Sequence, residues 1–486
     1  MPTMYAKVTD SGLCKPISFT WPQTSVLSAS LVLGAGSWTG FPAAGDTVHR
    51  VDIIDPIEQS TPALGADGTV YVGDADGFVT AYHPPTKGRR SRYLSGSIVS
   101  APVLGNDGTI YVGTTAMATD NFFALAPATL EEKRHFKADG AIKSSPAIGR
   151  DWTVYVGTTK GYLYALDPET LAEKWSVQLR RYDDGSGVAL DITGGPVTGP
   201  DGTLYVPTAH GDASQLLAIE PHSGKIKWRY ANFDGIQVAP AIGSNGDVLF
   251  VDADSFLVCL NSQGERRWWH FLDGGLTSPV VGRSGEIYVG STKNFVACYS
   301  KDGDRRWEFS TEGERVRGAP VVGARSRLYV ASGNKTLRCI RTSDKAELWQ
   351  TRLDKGTRAI GNIVLAPDGL LWFGGGLYLF GVQSEDSPAW TAYWPCFRGD
   401  LLNTGLSGRV DGRAEFLQPF AFSNGRVGLA LKGEPDGAYQ FEKSDDFRQW
   451  SVVGTFRSQS GLYSTVEGSS PLPRAKFYRA RNATAN

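Results

Sequence analysis

The sequence predicts an all-β protein: an eight-bladed β-propeller of four-stranded antiparallel blades, followed by a small C-terminal β-sandwich. Two observations predict the propeller. A segment of roughly 40 residues recurs eight times along the 486-residue chain, and within each copy apolar and polar residues alternate with the period of two that is typical of strands. A third observation, the loss of this period after Arg413, predicts the separate C-terminal module.

Each copy is anchored on a proline that begins a short apolar strand. The anchors lie 39 to 50 residues apart, which is a spacing typical of four-stranded propeller blades. They are Pro62, Pro102, Pro146, Pro196, Pro240, Pro279, Pro320 and, in a degenerate eighth copy, Ile363. Because the last copy lacks the proline, a seven-bladed ring is the alternative.

The copy that runs from Ser144 to Trp175 shows the elements of one blade. "PAIG" predicts a short inner strand, "VYVG" the second, "YLYAL" the third and "AEKWSV" the fourth. Turns such as "ADGT" supply Asp and Gly where a positive φ is needed. One such sheet cannot bury both faces, so copies must stack around an axis. The recurring tryptophan predicts a wedge between neighbouring sheets, and Val48–Ile57 predicts a strand that joins the last blade.

These motifs resemble the PQQ-type repeat found in quinoprotein dehydrogenases and in the outer-membrane assembly propeller lipoprotein. The resemblance covers Pro62 to about Leu379. "WPCFRGDLLNTGLSG" (Trp394–Gly408) is similar to the W-P-x-F-R-x-D-x-x-x-T-G element of non-enzymatic propellers of this class. We interpret this element as a structural seam near ring closure, and a ligand contact by Arg398 and Asp400 is the alternative.

The predicted domain boundaries follow from the repeat. Residues 1–40 form a leader or a poorly ordered segment, with an export signal as the alternative, because Val26–Trp38 is only mildly apolar. The propeller spans 41–410. Residues 414–486 form the β-sandwich, which resembles modules appended to secreted bacterial proteins. That resemblance implies an extracytoplasmic location, in the periplasm or at the cell surface.

Composition limits the classes of partner. The formal net charge is -1 and the chain has no long basic run, so we expect no nucleic-acid partner. No segment has the 18 or more apolar residues of a membrane span. We expect a monomer that binds a protein or a cell-surface partner.

The cysteines argue against catalysis. The resemblance implies that catalytic quinoproteins carry two adjacent cysteines, a calcium site and a catalytic Asp. The five cysteines here are not adjacent to one another, so we predict no enzyme, no PQQ, no Ca²⁺ and no other metal. Three of them, the cysteine trio, share one repeat position with Ala81 and Ala165, which predicts buried core: Cys259, Cys298 and Cys339.

Other polar groups leave alternatives open. A PQQ-dependent dehydrogenase acting on an alcohol or sugar is the rival function, and a hydrolase using His210 and Asp212 is a third. Two acidic pairs follow second strands and could suggest calcium, but turn chemistry explains them better: Asp74 with Asp76 and Asp252 with Asp254. "RRWWH" (Arg266–His270) is interpreted as a blade strand with solvated arginines rather than a ring-stacking or anion site.

Three insertions predict the binding face. Thr114–Asn121 and Pro207–Gln215 lengthen second-to-third-strand loops, and Leu179–Gly195 links blades three and four. Because strands alternate in direction, all three emerge on one face, and loops on a rigid scaffold commonly bind. We therefore predict a non-catalytic scaffold, with neutral variation in loop length as the alternative. The candidate binding residues are Met117, Asp120, Tyr182, Asp183, Asp184, His210 and Asp212.

Overall fold

The computed structural model describes residues 43–386 except 58–59, 66, 106, 183, 232–234, 276, 313–314, 354–360 and 367, together with 398–399. For residues 4–8, residues 54–55 and six strands between 415 and 482, the description is restricted to the backbone. None of the described residues forms a helix that is long and apolar enough to cross a bilayer.

Eight antiparallel sheets form the propeller, as the repeat predicts. Two strands precede the first sheet: β1 (Met4–Val8) and β2 (Thr47–Ile57). Blades one to four consist of β3 (Ala63–Leu64), β4 (Val70–Gly73), β5 (Phe78–His83), β6 (Gly88–Tyr93), β7 (Val103–Leu104), β8 (Ile110–Gly113), β9 (Phe122–Leu125), β10 (Glu132–Phe136), β11 (Ala147–Ile148), β12 (Val154–Gly157), β13 (Tyr162–Leu166), β14 (Glu173–Gln178), β15 (Val197–Thr198), β16 (Leu204–Pro207), β17 (Gln215–Ile219) and β18 (Ile226–Ala231).

Blades five to seven repeat the same order, with a short inner strand first and an outer strand last. Their strands are β19 (Ala241–Ile242), β20 (Val248–Val251), β21 (Phe256–Leu260), β22 (Arg266–Phe271), β23 (Val280–Val281), β24 (Ile287–Ser291), β25 (Phe295–Tyr299), β26 (Arg305–Ser310), β27 (Val321–Gly323), β28 (Arg327–Ala331), β29 (Thr336–Arg341) and β30 (Glu347–Arg352).

The eighth blade closes the ring with a strand from the other end of the propeller. It contains β31 (Ile363–Leu365), β32 (Leu370–Gln383) and β2. The Ser384 N–H donates to the Gly369 carbonyl at 2.8 Å, so the 14-residue β32 folds back on itself and supplies both the second and third strands. β2 pairs with its second half and forms the fourth strand. The eight-bladed prediction and the predicted closure by Val48–Ile57 are confirmed, and the seven-bladed alternative is wrong.

In blades one to four, the first turn is stabilised by its own Asp. In blade one, Asp67 accepts hydrogen bonds from the Thr69 N–H at 2.9 Å and from its hydroxyl at 2.8 Å. Equivalent bonds join Asp107 to Thr109, Asp151 to Thr153 and Asp201 to Thr203. The D-x-T sequence therefore supplies a side-chain acceptor that stabilises the hairpin locally.

The recurring tryptophans lie between neighbouring blades, as predicted. The Trp175 indole packs on Tyr155 with ring centroids 5.9 Å apart and donates its N–H to the Pro221 carbonyl of blade four at 2.9 Å. Gly224 lies beneath that indole with φ +71°, where a Cβ would come within 2.8 Å of the ring. Trp228 with Gly264 and Trp268 with Gly303 repeat this arrangement, so a bulky ring and a facing glycine hold the sheets of blades three to six together.

Two further sheets lie in the C-terminal region. They comprise β33 (Glu415–Ala421), β34 (Val427–Lys432), β35 (Ala438–Ser444), β36 (Ser451–Arg457), β37 (Leu462–Glu467) and β38 (Lys476–Asn482). One sheet has the order β33-β34-β37, and the other has the order β1-β38-β35-β36. β1 thus comes from the segment predicted as a leader. The domain boundaries and the β-sandwich arrangement stay predictions.

Candidate functional site

The lengthened loops emerge on one face of the ring, which we call the rim face. In blade after blade, the turn between the second and third strands donates a backbone hydrogen bond to the segment that enters that blade. Thr115 N–H donates to Ser97 O at 3.0 Å, Ala209 to Asp191 at 2.9 Å and Gly333 to Arg315 at 2.7 Å. Because the strands alternate in direction, the second-to-third-strand turns and the segments that enter the blades lie at the same end of the blades. The backbone bonds join these two kinds of loop.

The insertion between blades three and four folds as a hairpin. Leu190 N–H donates to Leu179 O at 2.9 Å, and Arg181 N–H donates to Val188 O at 3.1 Å. At its tip, Tyr182 is 52% exposed. The Ser186 hydroxyl and N–H hold the pKa of Asp184 below its usual range, so this carboxylate is ionised and serves the turn itself.

The loop of blade four packs against this hairpin. The Gln215 amide donates to Arg181 O at 3.0 Å, and the Arg181 guanidinium lies 3.6 Å from Asp212 Oδ2. The His210 ring nitrogen Nδ1 lies 3.7 Å from Asp191 Oδ1. The two insertions therefore form one continuous surface, which we call the blade three–four rim.

The described contacts of Ser214 do not join its hydroxyl to the His210 imidazole. The Ser214 hydroxyl is buried, accepts a hydrogen bond from the His210 N–H at 2.8 Å and donates to the Gly211 carbonyl at 2.7 Å. It thus serves the loop backbone rather than the imidazole. Since an activated hydroxyl needs a base within hydrogen-bond reach, these contacts give the hydrolase alternative no nucleophile at Ser214.

The third insertion lies apart, beside blade one. Met117 is 68% exposed, and the Asp120 carbonyl accepts a hydrogen bond from the Ser95 hydroxyl at 2.9 Å. A cleft of about 230 Å³ lies here between blades one and two, lined by Arg92, Tyr93, Leu94, Ser95, Thr119, Asp120, Phe123 and Glu132.

His135 borders this cleft between two acidic side chains. Its Nδ1 lies 2.6 Å from Glu132 Oε1, and its Nε2 lies 3.6 Å from Asp120 Oδ2. The hydrogen bond to Glu132, with the charge of Asp120, raises the pKa of His135. Asp120 is therefore held by a histidine that the sequence did not single out.

The structure thus divides the candidate residues into two groups. It brings Tyr182, Asp184, His210 and Asp212 into the blade three–four rim, while Met117 and Asp120 lie at blades one and two. Asp183 lies outside the described residues. Arg181 was missed by the sequence analysis, although its place in the longest insertion is a signal that could have found it.

Arg398, in the "WPCFRGD" element, contacts blade three. The side chain is fully buried and donates to the Pro146 carbonyl at the start of the inner strand of blade three. Its guanidinium occupies the space beside Gly195 that a Cβ would need. The seam near ring closure stays a prediction, because residues 394–397 and the residues after Gly399 in this element lie outside the described residues. Asp400 lies outside the described residues.

The residue before each anchor lies at this inner end of the blades, and side chains there link neighbouring blades. The Ala101 N–H donates to the Ser145 hydroxyl at 2.9 Å, and the Asn362 amide donates to the Thr61 hydroxyl at 2.8 Å. Blade four has Gly195 at this position and therefore leaves room for Arg398.

The acidic pairs and the cysteine trio behave as the sequence predicts. Asp74 accepts a hydrogen bond from the Phe78 N–H, and Asp252 accepts one from the Phe256 N–H, each at 2.8 Å. Both carboxylates thus serve turns. The cysteine trio is buried, and burial raises the pKa of each thiol to about 12.

The described residues offer a poor fit to PQQ and Ca²⁺. Within the described ranges, no three His, Cys, Asp or Glu side chains are grouped to hold a metal ion. The adjacent cysteines that the resemblance implies for catalytic quinoproteins are missing from the sequence. Arg398 also occupies the inner end of blades three and four with the protein's own side chain.

Solved structures confirm the propeller fold. BamB from Moraxella catarrhalis has a TM-score of 0.55 at 15% identity, over 69% of this chain and 99% of its own. A europium-containing methanol dehydrogenase has a TM-score of 0.55 at 15% identity, over 68% and 85%. Sqt1 from Saccharomyces cerevisiae has a TM-score of 0.57 at 12% identity, over 70% and 100%. At such identities these likenesses show the fold and select no activity.

Sequence comparison identifies the family. No curated protein matches the chain. The PQQ_2 family, described as outer membrane protein assembly factor BamB, matches residues 41–186, 160–294, 212–322 and 292–374. These matches span all but the last part of the propeller and more than half of the chain. The chain therefore belongs to the PQQ-like repeat family of the BamB type.

Proposed function

We propose that this protein is a non-catalytic β-propeller that binds a protein partner through the blade three–four rim. The observation that carries the proposal is that two separate insertions fold against each other into one surface through the Gln215, Arg181 and Asp212 contacts. These side-chain contacts come in addition to the backbone bond that the two loops share in ordinary blades. A surface that is already formed loses less conformational entropy on binding.

The chemistry of the rim suits a protein surface. Tyr182 and Val188 are exposed on the hairpin, and the Arg181 guanidinium lies 5.6 Å from the Tyr182 ring centroid. Tyrosine and arginine are enriched among residues that dominate binding energy at protein interfaces. Exposed Asp184 and Asp212 add negative charge around them, so the partner surface is expected to carry cations at its margin.

The family supports an extracytoplasmic role. The matching family is described as outer membrane protein assembly factor BamB, which supports a location outside the cytoplasm. We propose the same location for this chain, as a monomer that needs neither PQQ nor Ca²⁺.

Cross-linking in cells that express the full-length protein tests the proposal. A photo-reactive residue replaces Val188, and mass spectrometry identifies what it captures. We expect one dominant protein partner, whose capture falls at least about tenfold, or 1.4 kcal/mol, in the variant Y182S/R181Q. The matched control is K293Q, a change on the same face in an ordinary turn of blade six. The proposal is contradicted if K293Q reduces capture of the partner as much as Y182S/R181Q does.

The rival function has one observation in its favour, the fold shared with a methanol dehydrogenase. Titration with PQQ and Ca²⁺, followed by tryptophan fluorescence, separates the two. Saturable quenching that requires Ca²⁺ supports the dehydrogenase and contradicts a cofactor-free scaffold. An activity without PQQ that is lost in H210A would instead support the hydrolase.

A further inference from the structure

An exposed group of aromatic rings lies on the outer part of blade five. Trp269 and Phe271 are 48% and 59% exposed. Phe256 joins them, with its ring centroid 4.9 Å from that of Trp269 and 5.3 Å from that of Phe271. Together with Arg266, whose guanidinium carbon lies 5.9 Å from the Trp269 ring centroid, we call this group the aromatic edge.

The repeat shows that the fold does not require these rings. Trp269 pairs with Val258 of the third strand, and the strand registers give the equivalent residue in other blades. Those residues are all polar: Ser91, His135, Ser176, Arg229, Glu308 and Gln350. The Phe271 position is held by Tyr93, Gln178, Ala231, Ser310 and Arg352 in blades one, three, four, six and seven. Blade five therefore departs from the other blades at the Trp269 position, which is polar elsewhere, whereas at the Phe271 position blade one also carries an exposed ring, Tyr93.

Trp269 and Phe271 lie on β22, the outermost strand of the blade five sheet. In its sheet, β22 is the last strand, with β21 on one side and no strand partner on the other among the described residues. Open edges are normally protected by charged or polar side chains, because they can pair with another chain. Blade five instead presents two apolar rings, at positions 269 and 271, on one face of the strand.

Arg266, the charged residue beside the rings, differs from neighbouring arginines in its ion pairing. Arg267 pairs with Asp247 at 2.6 Å, and Arg305 of blade six pairs with Glu308. Arg266 has no carboxylate partner among the described residues, although it is exposed beside Trp269. An aromatic surface bordered by a free guanidinium has the composition of an interface hot spot and attracts a carboxylate.

We propose that the aromatic edge binds an extended peptide segment that adds a strand to β22. The segment places aromatic or aliphatic side chains, two residues apart, against Trp269 and Phe271, and a carboxylate against Arg266. In such strand addition, main-chain hydrogen bonds supply affinity and alternate side chains supply specificity. The Phe256 ring stands at 74° to Trp269, so the rings form no flat platform for a sugar. This site is separate from the blade three–four rim and does not depend on it.

Fluorescence anisotropy with a labelled peptide tests the proposal on the full-length protein. The probe is acetyl-Glu-Phe-Thr-Phe-Thr-amide carrying a fluorophore. We expect saturable binding below about 1 mM. The variant W269S/F271Q, which gives blade five the residues of blade three, should weaken binding at least about tenfold. The matched control Y93Q removes the exposed ring of blade one and should leave binding unchanged.

Two further measurements use the wild-type protein or R266S, so they test the proposal even if W269S/F271Q is unstable. In the wild-type protein, a peptide with Lys in place of Glu should bind less tightly, and R266S should abolish that preference. A peptide with alternate N-methyl groups, which cannot pair with an edge, should not bind. Equal binding of the Lys or the N-methylated peptide, no binding at about 1 mM, or an equal loss in Y93Q overturns the proposal. So does sedimentation that shows a dimer lost in W269S/F271Q, because a second copy would then be the occupant.

Discussion

Replacing Gly195 by alanine tests how firmly Arg398 is held at the inner end of blades three and four. The new Cβ would overlap the guanidinium Nη1 and lie 3.1 Å from its Cζ and 3.2 Å from the Ser145 carbonyl oxygen. The end of an arginine usually moves aside at little cost. Here the side chain is fully buried and donates to the Pro146 carbonyl, so moving it breaks a charge-assisted hydrogen bond.

The expected cost follows from these contacts. A hydrogen bond to a charged group contributes about 1.5–3 kcal/mol, and overpacking adds about 1 kcal/mol. The loss of chain entropy that alanine brings to the unfolded state offsets about 0.7 kcal/mol. The net destabilisation is therefore about 2–3 kcal/mol, which corresponds to a fall in Tm of about 3–4 °C for a domain of this size.

Calorimetry of four proteins is the assay: wild type, G195A, R398A and the double variant. The cost of G195A should disappear in the R398A background, because the clash and the hydrogen bond are then both gone. Such a coupling energy is what a double-mutant cycle isolates. If G195A lowers Tm equally with and without Arg398, or leaves it unchanged in the wild type, the described contact does not hold Arg398.

Three other predictions concern the ring. G224A should cost about 2 kcal/mol more than G246A in thermal unfolding, because both glycines have a positive φ but a Cβ meets Trp175 only at Gly224; equal costs would contradict the tryptophan wedge. At pH 8 the cysteine trio should resist iodoacetamide, since a pKa of about 12 leaves about one thiol in ten thousand ionised; rapid labelling without unfolding would refute this burial. NMR should show the pKa of His135 above 6.5, and the variant E132Q should lower that pKa. The pairing of His135 with Glu132 therefore stabilises the fold below pH 6.5. This stabilisation is lost as the pH rises through the raised pKa.

The sequence was informative about the blades because their constraints are local. Each "DGT" turn satisfies its own backbone, and each strand shows its buried face through alternation. The same logic placed the cysteine trio in the core, since Ala81 and Ala165 share its repeat position. Ring closure also followed, because Val48–Ile57 is a strand-like segment without a hairpin partner of its own.

Contacts between distant segments could not be read in this way. The Arg181–Asp212 and His210–Asp191 pairs join loops of neighbouring blades, and no repeat position records such a pair. The contact of Arg398 with blade three was not predicted, because the element that contains it was interpreted only from its resemblance to a propeller motif. The length and charge of Arg398 allow it to reach Pro146, and only the absent side chain of Gly195 leaves room for it there.

The sequence by itself determined the repeat, the order of its strands and the face on which the insertions emerge, because repetition and alternating strand direction fix all three. It left seven blades as an alternative to eight, and the structure decided for eight. The tertiary structure decided which insertions meet, where Arg398 is buried and which outer strand presents unprotected rings. These depend on the distances between blades and on side-chain reach, which are set when the ring closes and not within any one repeat.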